Sequence, residues 1–263
     1  MDEPTHQVAA FYRFVRLSDI PKLRTWVEST ARAHEISGSI LLAEEGINGT
    51  VTSKSRARLE AFFGAIGAES ALASLPVKWS TGDRAPFDRL RVKQKKEIVP
   101  LGRPGVDPSR RVGTYVPPEA WNDLLKDPEL VLIDARNTPE IRVGRFEGAL
   151  DPGTRDFREL SGWMEQNLEP ERDKKIAMYC TGGIRCEKAT SFLLERGFEN
   201  VYHLEGGILA YLDRVPKADS RFHGACFVFD WRVSLGHGLQ PGHHEVCAGC
   251  GDPFETGGCC FNC

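Results

Sequence analysis

The apolar run Ile176-Ala177-Met178-Tyr179 ends on Cys180, and Thr181-Gly182-Gly183 then leads into a stretch where Ala189, Phe192 and Leu193 recur at helical spacing until Gly197. A short buried strand, a turn of small residues and an amphipathic helix belong together in few architectures, chiefly a parallel sheet covered by helices. The thiol then stands between strand and helix. There the unpaired amides of the turn, the positive end of the helix and Arg185 favour thiolate over thiol, which makes a nucleophile at neutral pH. The competing reading is a buried strand-end cysteine, since free cysteine is among the most often buried residue types. Packing alone does not need glycines that let successive amides converge on one point. Cys180 is therefore read as reactive, with Thr181, Gly182, Gly183, Ile184 and Arg185 as its loop.

A chain of 263 residues, 41% hydrophobic and 27% charged, has the composition of a soluble globular protein with two domains and an appendage. Residues 8–15 read as strand, 20–33 as helix, 39–43 and 49–52 as strands, 56–66 as helix and 77–80 as strand. The order βαββαβ predicts a ferredoxin-like α+β domain over residues 1–86, an antiparallel sheet with two helices on one face. Between its middle strands, Gly46 and Asn48-Gly49 suit a tight hairpin. Residues 87–113, rich in charge, proline and glycine, read as a basic connector with one further strand near 97–101. From 114 to 216, strands at 131–134, 176–179 and 201–204 alternate with helical patterns, so an α/β domain with a largely parallel sheet is expected. Ligands of such sheets bind at the carboxyl ends of the strands, where Cys180 falls. Residues 217–263 form a Cys-rich tail.

The net charge of −3 is uninformative, but its distribution is not. Arg84, Arg89, Arg91, Lys93, Lys95 and Lys96 crowd one stretch, which suits a phosphate backbone; a solvated linker is the alternative. No stretch is long and apolar enough to span a bilayer, and the opening Met1-Asp2-Glu3-Pro4 lacks the regions of a signal peptide. A cytoplasmic protein is expected. Its eight cysteines are then catalytic or metal-binding rather than a disulfide framework. Cys247-Ala248-Gly249-Cys250 and Cys260-Phe261-Asn262-Cys263 form two C-x-x-C pairs about nine residues apart. Four thiolates so spaced suit a structural zinc, with Cys259, His243 or His244 as substitute ligands; reduced thiols in a loose tail are the rival.

Several motifs coincide with one family. Leu132-Ile133-Asp134-Ala135-Arg136, Glu140, Gly144-Arg145-Phe146-Glu147-Gly148-Ala149, the Cys180 loop and Leu204-Glu205-Gly206-Gly207-Ile208 together resemble a rhodanese domain. Arg185 stands five places after Cys180, as in a six-residue rhodanese loop; phosphatases of the same fold carry it one place later, where Cys186 stands here. Asp134 and Arg136 are candidates to support the loop from the neighbouring strand. Residues 38–50 and 87–99, with Cys180-Thr181-Gly182-Gly183-Ile184-Arg185-Cys186-Glu187-Lys188, are similar to the oxygen-dependent tRNA uridine hydroxylases, whose N-terminal domain is acylphosphatase-like. The resemblance implies conversion of the wobble uridine of tRNA to 5-hydroxyuridine with molecular oxygen as co-substrate and no organic cofactor evident. It also implies tRNA as partner, recognised at the anticodon region through the basic residues. The family tail has a longer gap between cysteine pairs and a basic extension; here the sequence ends at Cys263.

Two other classes remain open at this stage. A rhodanese-type sulfurtransferase would carry a persulfide on Cys180, which Cys186 would resolve if it faced that sulfur; a packing residue on the first helical turn is the plainer expectation for Cys186. An RNA-binding adaptor with a degenerate module is the non-enzymatic alternative, and the intact loop argues against it.

Overall fold

A computed structural model describes residues 6–82, 85–260 and 262–263, which fall into two compact units meeting at Pro100 and Leu101. In the first unit the expected order appears as β1 (His6–Phe14), α1 (Ile20–Ala33), β2 (Ser37–Ala43), β3 (Gly46–Ser53), α2 (Arg56–Ile66) and β4 (Val77–Gly82). Both helices are amphipathic. Ile20, Leu23, Val27 and Ala31 of α1 and Leu59, Phe62 and Ile66 of α2 are buried against Ile40, Leu42, Ile47 and Val51 of the sheet. Each fully buried side chain of this size contributes about 1.5–3 kcal/mol. Asp19 and Ser55 cap the two helices by accepting from the backbone N–H of Lys22 and Arg58.

The middle hairpin turns at Glu44-Glu45, not at Asn48-Gly49, which lie within β3. Gly46, at φ 147°, passes so close to the β1 backbone that a Cβ would meet the Arg13 carbonyl oxygen. The connector expected over 87–113 is divided. The additional strand is not at 97–101 but is β5 (Leu90–Gln94), which pairs in parallel with β2 and completes the sheet order β4-β1-β3-β2-β5. Buried Val92 anchors it, while Arg91, Lys93 and Gln94 are exposed. Charge density concealed this strand, since lysine and arginine are common on edge strands, where they discourage pairing with other chains.

In the second unit β6 (Thr114–Val116), β7 (Leu130–Asp134), β9 (Lys175–Tyr179) and β10 (Asn200–Leu204) form a parallel sheet of order β6-β10-β9-β7. Between them lie α3 (Pro118–Leu124), α4 (Thr138–Ile141), β8 (Gly144–Phe146), α5 (Phe157–Asn167) and α6 (Ile184–Glu195), and α7 (Gly207–Arg214) follows β10. Phe146 sits at the centre of one core, edge-to-face with Trp121, Tyr179, Tyr211 and Phe222 at 4.8 to 6.0 Å. Phe222 arrives from β11 (Phe222–Gly224), antiparallel to β8. Residues 217–263 are therefore no loose appendage: β11, the hairpin of β12 (Cys226–Phe227) and β13 (Ser234–Leu235), and that of β14 (His244–Val246) and β15 (Pro253–Glu255) belong to the second unit.

Candidate active site

Cys180 follows β9, and the loop to α6 folds around its sulfur. The Gly183 N–H donates to Sγ at 3.1 Å, and the amide and thiol of Cys186 also hydrogen-bond to it. Gly183, at φ 104°, supplies the turn that aims these amides. Burial of Cys180 pushes its pKa up, but the Cys186 thiol, the Arg185 charge and the two amides outweigh it and bring it down to about 5. Cys180 is thus almost wholly ionised at neutral pH. Cys180 itself exposes no surface, although Thr181, Gly182 and Ile184 at the rim are half-buried.

The loop is fixed from two sides. From α7, Ile208 and Leu209 donate their N–H groups to the carbonyls of Cys180 and Thr181 at 2.9 and 3.1 Å. Gly207 permits this approach, since a Cβ there would lie 2.5 Å from the Cys180 carbonyl oxygen. From α4, the Glu140 carboxylate takes both terminal nitrogens of Arg185 at 2.7 Å, and Arg185 also reaches the Thr181 hydroxyl at 3.2 Å. Arg185 thus favours the thiolate while its own charge is matched in place by Glu140. Burial would raise the Glu140 pKa, yet Arg185 and Arg136 hold it below the ordinary carboxylate range.

Asp134 and Arg136 do not touch Cys180. Fully buried, they pair bidentately at 2.9 and 2.6 Å, and the Arg136 guanidinium donates to the carbonyls of Glu140 and Gly144 at 3.3 and 2.6 Å. They set the position of Glu140, which sets Arg185. Cys186, expected as packing, instead faces Cys180, and burial followed by that hydrogen bond pushes its pKa well up. Its place in the first turn of α6, with the side chain directed back along the axis, is the signal that could have shown this.

The tail supplies a wall that sequence reasoning missed. Thr181 donates to the Phe227 carbonyl at 3.4 Å, and the Arg185 guanidinium lies 5.9 Å from the ring of Phe229, which is 69% exposed. Phe229 is held edge-to-face on Phe227 within a turn closed by the buried pair Asp230 and Arg232. Only its exposure, which has no sequence signature, marks it.

The basic residues belong to the first unit. Arg89, Arg91, Lys93, Lys95 and Lys96 are exposed on and around β5; Arg84 lies outside the described residues. At the end of the second unit the sulfurs of Cys247, Cys250, Cys260 and Cys263 all lie within 4.8 Å of one another, with contacts of 3.2, 3.3 and 3.9 Å. Four sulfurs around one tetrahedral ion at about 2.3 Å would stand roughly 3.8 Å apart, so this cluster can hold a metal ion. Cys259, His243 and His244 are not in it.

A thiolate at a parallel strand end inside a six-residue amide loop defines the rhodanese class, and residues 117–214 match the rhodanese-like domain family. Residues 6–98 match the UPF0176 acylphosphatase-like domain. Across nearly the whole chain, proteins named tRNA uridine(34) hydroxylase are similar: that of Picosynechococcus is 48% identical over 95% of this chain and 83% of its own. Those of Agrobacterium fabrum and Deinococcus radiodurans are 47% and 48% identical, covering 97% and 98% of this chain and 84% and 88% of theirs. The chain belongs to the tRNA uridine(34) hydroxylase family.

Alkylation of Cys180 by iodoacetamide should rise with an apparent pKa near 5 and stay level from there toward neutral pH, because the ionised form dominates above the folded pKa. A profile still climbing toward pH 9, followed by peptide mass mapping of the modified cysteine, would contradict the thiolate assignment.

Proposed function

We propose that this protein hydroxylates the wobble uridine of tRNA to 5-hydroxyuridine, with molecular oxygen as co-substrate and Cys180 as nucleophile. The observation that carries the reading is the ionised Cys180 sulfur with an exposed aromatic, Phe229, beside the same loop, in a chain of the uridine(34) hydroxylase family. An enzyme acting on a base takes it out of the stack, and an exposed ring offers that base a face to stack on. A persulfide carrier has no need of such a face.

The Cys180 thiolate adds to C6 of the extruded uracil, and the charge passes to C5 and the adjoining carbonyl as an enolate. Loop amides stabilise the developing oxyanion, Arg185 fixes the loop that carries them, and electron-rich C5 meets oxygen. Because Cys180 is fully buried, the half-buried rim residues must part for the base to reach it. The exposed row Arg89, Arg91, Lys93, Lys95 and Lys96, with Arg84, contacts tRNA phosphates, positioning the substrate without reading bases. Such an enzyme works in the cytoplasm, and among the described residues no helix is long and apolar enough to cross a membrane.

Cys247, Cys250, Cys260 and Cys263 hold a structural zinc that ties the end of the chain to the β14–β15 hairpin, and no organic cofactor is invoked. Native mass spectrometry should find one zinc per chain, and chelation should lower the melting temperature. A metal-free protein melting at the same temperature would remove zinc from the account.

Cys180→Ala should abolish 5-hydroxyuridine in tRNA, read by nucleoside mass spectrometry. Product at the wild-type level from that variant, or rapid thiocyanate release from thiosulfate and cyanide by a wild type that leaves tRNA unchanged, would favour another chemistry. Phe229→Ala should raise KM for tRNA about tenfold, equivalent to roughly 1.4 kcal/mol of lost stacking, with the Cys180 alkylation profile unchanged. An unaltered KM would remove the stacking role.

A further inference from the structure

Replacing the C5 hydrogen of uracil by hydroxyl with oxygen places one oxygen atom in the product and the other in water, which requires two electrons beyond those of the substrate. Cys186 stands in the first turn of α6, three residues past the Gly183 whose N–H meets the Cys180 sulfur at 3.1 Å, and both cysteines are fully buried, so the hydrogen bond between their sulfurs sets two thiol groups side by side where the base must react. Two thiols joining as a disulfide release two electrons.

We propose that Cys186 and Cys180 together supply the two electrons of the hydroxylation, leaving as a disulfide that a cellular dithiol reopens after each turnover. The inference rests on the hydroxylase reading above and gives it an electron source. The balance is uridine, oxygen and two thiols to 5-hydroxyuridine, water and one disulfide.

The bonds follow in order. The Cys180 sulfur bonds to C6, and the enolate passes its electron pair to oxygen, forming a peroxide anion on C5. Cys186 gives that anion its proton, and its own sulfur attacks the outer oxygen. The O–O bond breaks, leaving an alkoxide on C5 and a sulfenic acid on Cys186. The C5 proton moves to the alkoxide, the C6–sulfur bond breaks and 5-hydroxyuracil departs. The freed Cys180 thiolate then attacks the Cys186 sulfur and displaces hydroxide, which takes a proton from solvent to become water.

The two cysteines suit unequal parts. Cys180 is the nucleophile because its sulfur receives the loop amides, whereas Cys186 keeps its proton until the peroxide forms. Neither exposes surface, so small oxidants in bulk solvent reach the pair only when the half-buried rim residues part. Cys226, the third buried thiol, directs its sulfur to the Phe227 carbonyl and to Thr181, and takes no part.

The test uses the full chain with reduced thiols, freed of reductant, mixed with unmodified tRNA in air-saturated buffer. A single equivalent of 5-hydroxyuridine per chain should form and then stop, peptide mapping should find Cys180 bonded to Cys186, and added dithiol should restart turnover. Cys186→Ser, whose hydroxyl can still donate to the Cys180 sulfur, should lose product formation while Cys180 still alkylates below neutral pH and still adds to tRNA, a result that a merely structural residue would not give. Product formed with both thiols still reduced, or repeated turnover without reductant, overturns the inference and leaves the hydroxylase reading standing. Independently of tRNA, stoichiometric diamide should join Cys180 to Cys186, and failure to do so overturns the inference whatever the activity assay shows. A wild type that makes no product even with dithiol present sinks the hydroxylase reading, and this inference with it.

Discussion

A thiolate survives inside a protein only where donors outweigh the loss of water, and here that balance is struck at the Cys180 sulfur. Burial alone would protonate it; the Cys186 thiol, the Arg185 charge and two converging amides win instead. Those donors keep their aim because Arg185 is clamped by Glu140, and Glu140 stands where Arg136 and Asp134 hold the α4 segment. Each link in this chain is buried. Removing one partner of a buried ion pair typically costs about 3–5 kcal/mol, because the remaining charge is left without compensation. The polar residues beneath the loop are thus a single support for one ionised atom.

Packing sets the rest of the site. The aromatic cluster around Phe146 joins β8, β9, α3, α7 and β11, so the elements that carry the loop, its docking turn and the tail share one core. Gly207 lets α7 begin against the loop backbone, and the turn after β12 brings Phe229 to Arg185. A reactive sulfur is thereby combined with a surface that can receive a planar ring. Cys186 beside that sulfur gives the site two thiols, the number a reductive oxygen reaction requires.

Local patterns in the sequence carried much of this. The helical spans 20–33 and 56–66 follow from apolar periodicity and capping residues, and the strand, small-residue loop and helix around Cys180 follow from the same rules. The grouping of the four tail cysteines was readable from spacing alone. What the sequence by itself determined is therefore the order of most elements and the strand, loop and helix around Cys180, because these depend on neighbours a few residues apart. Tertiary structure alone decided that Glu140 grips Arg185 from 45 positions away, that β5 joins the first sheet, that Cys186 faces Cys180 and that Phe229 stands at the rim. Such contacts arise when distant segments bury apolar surface together and their polar groups must find partners at that interface, and no short-range signal encodes the outcome.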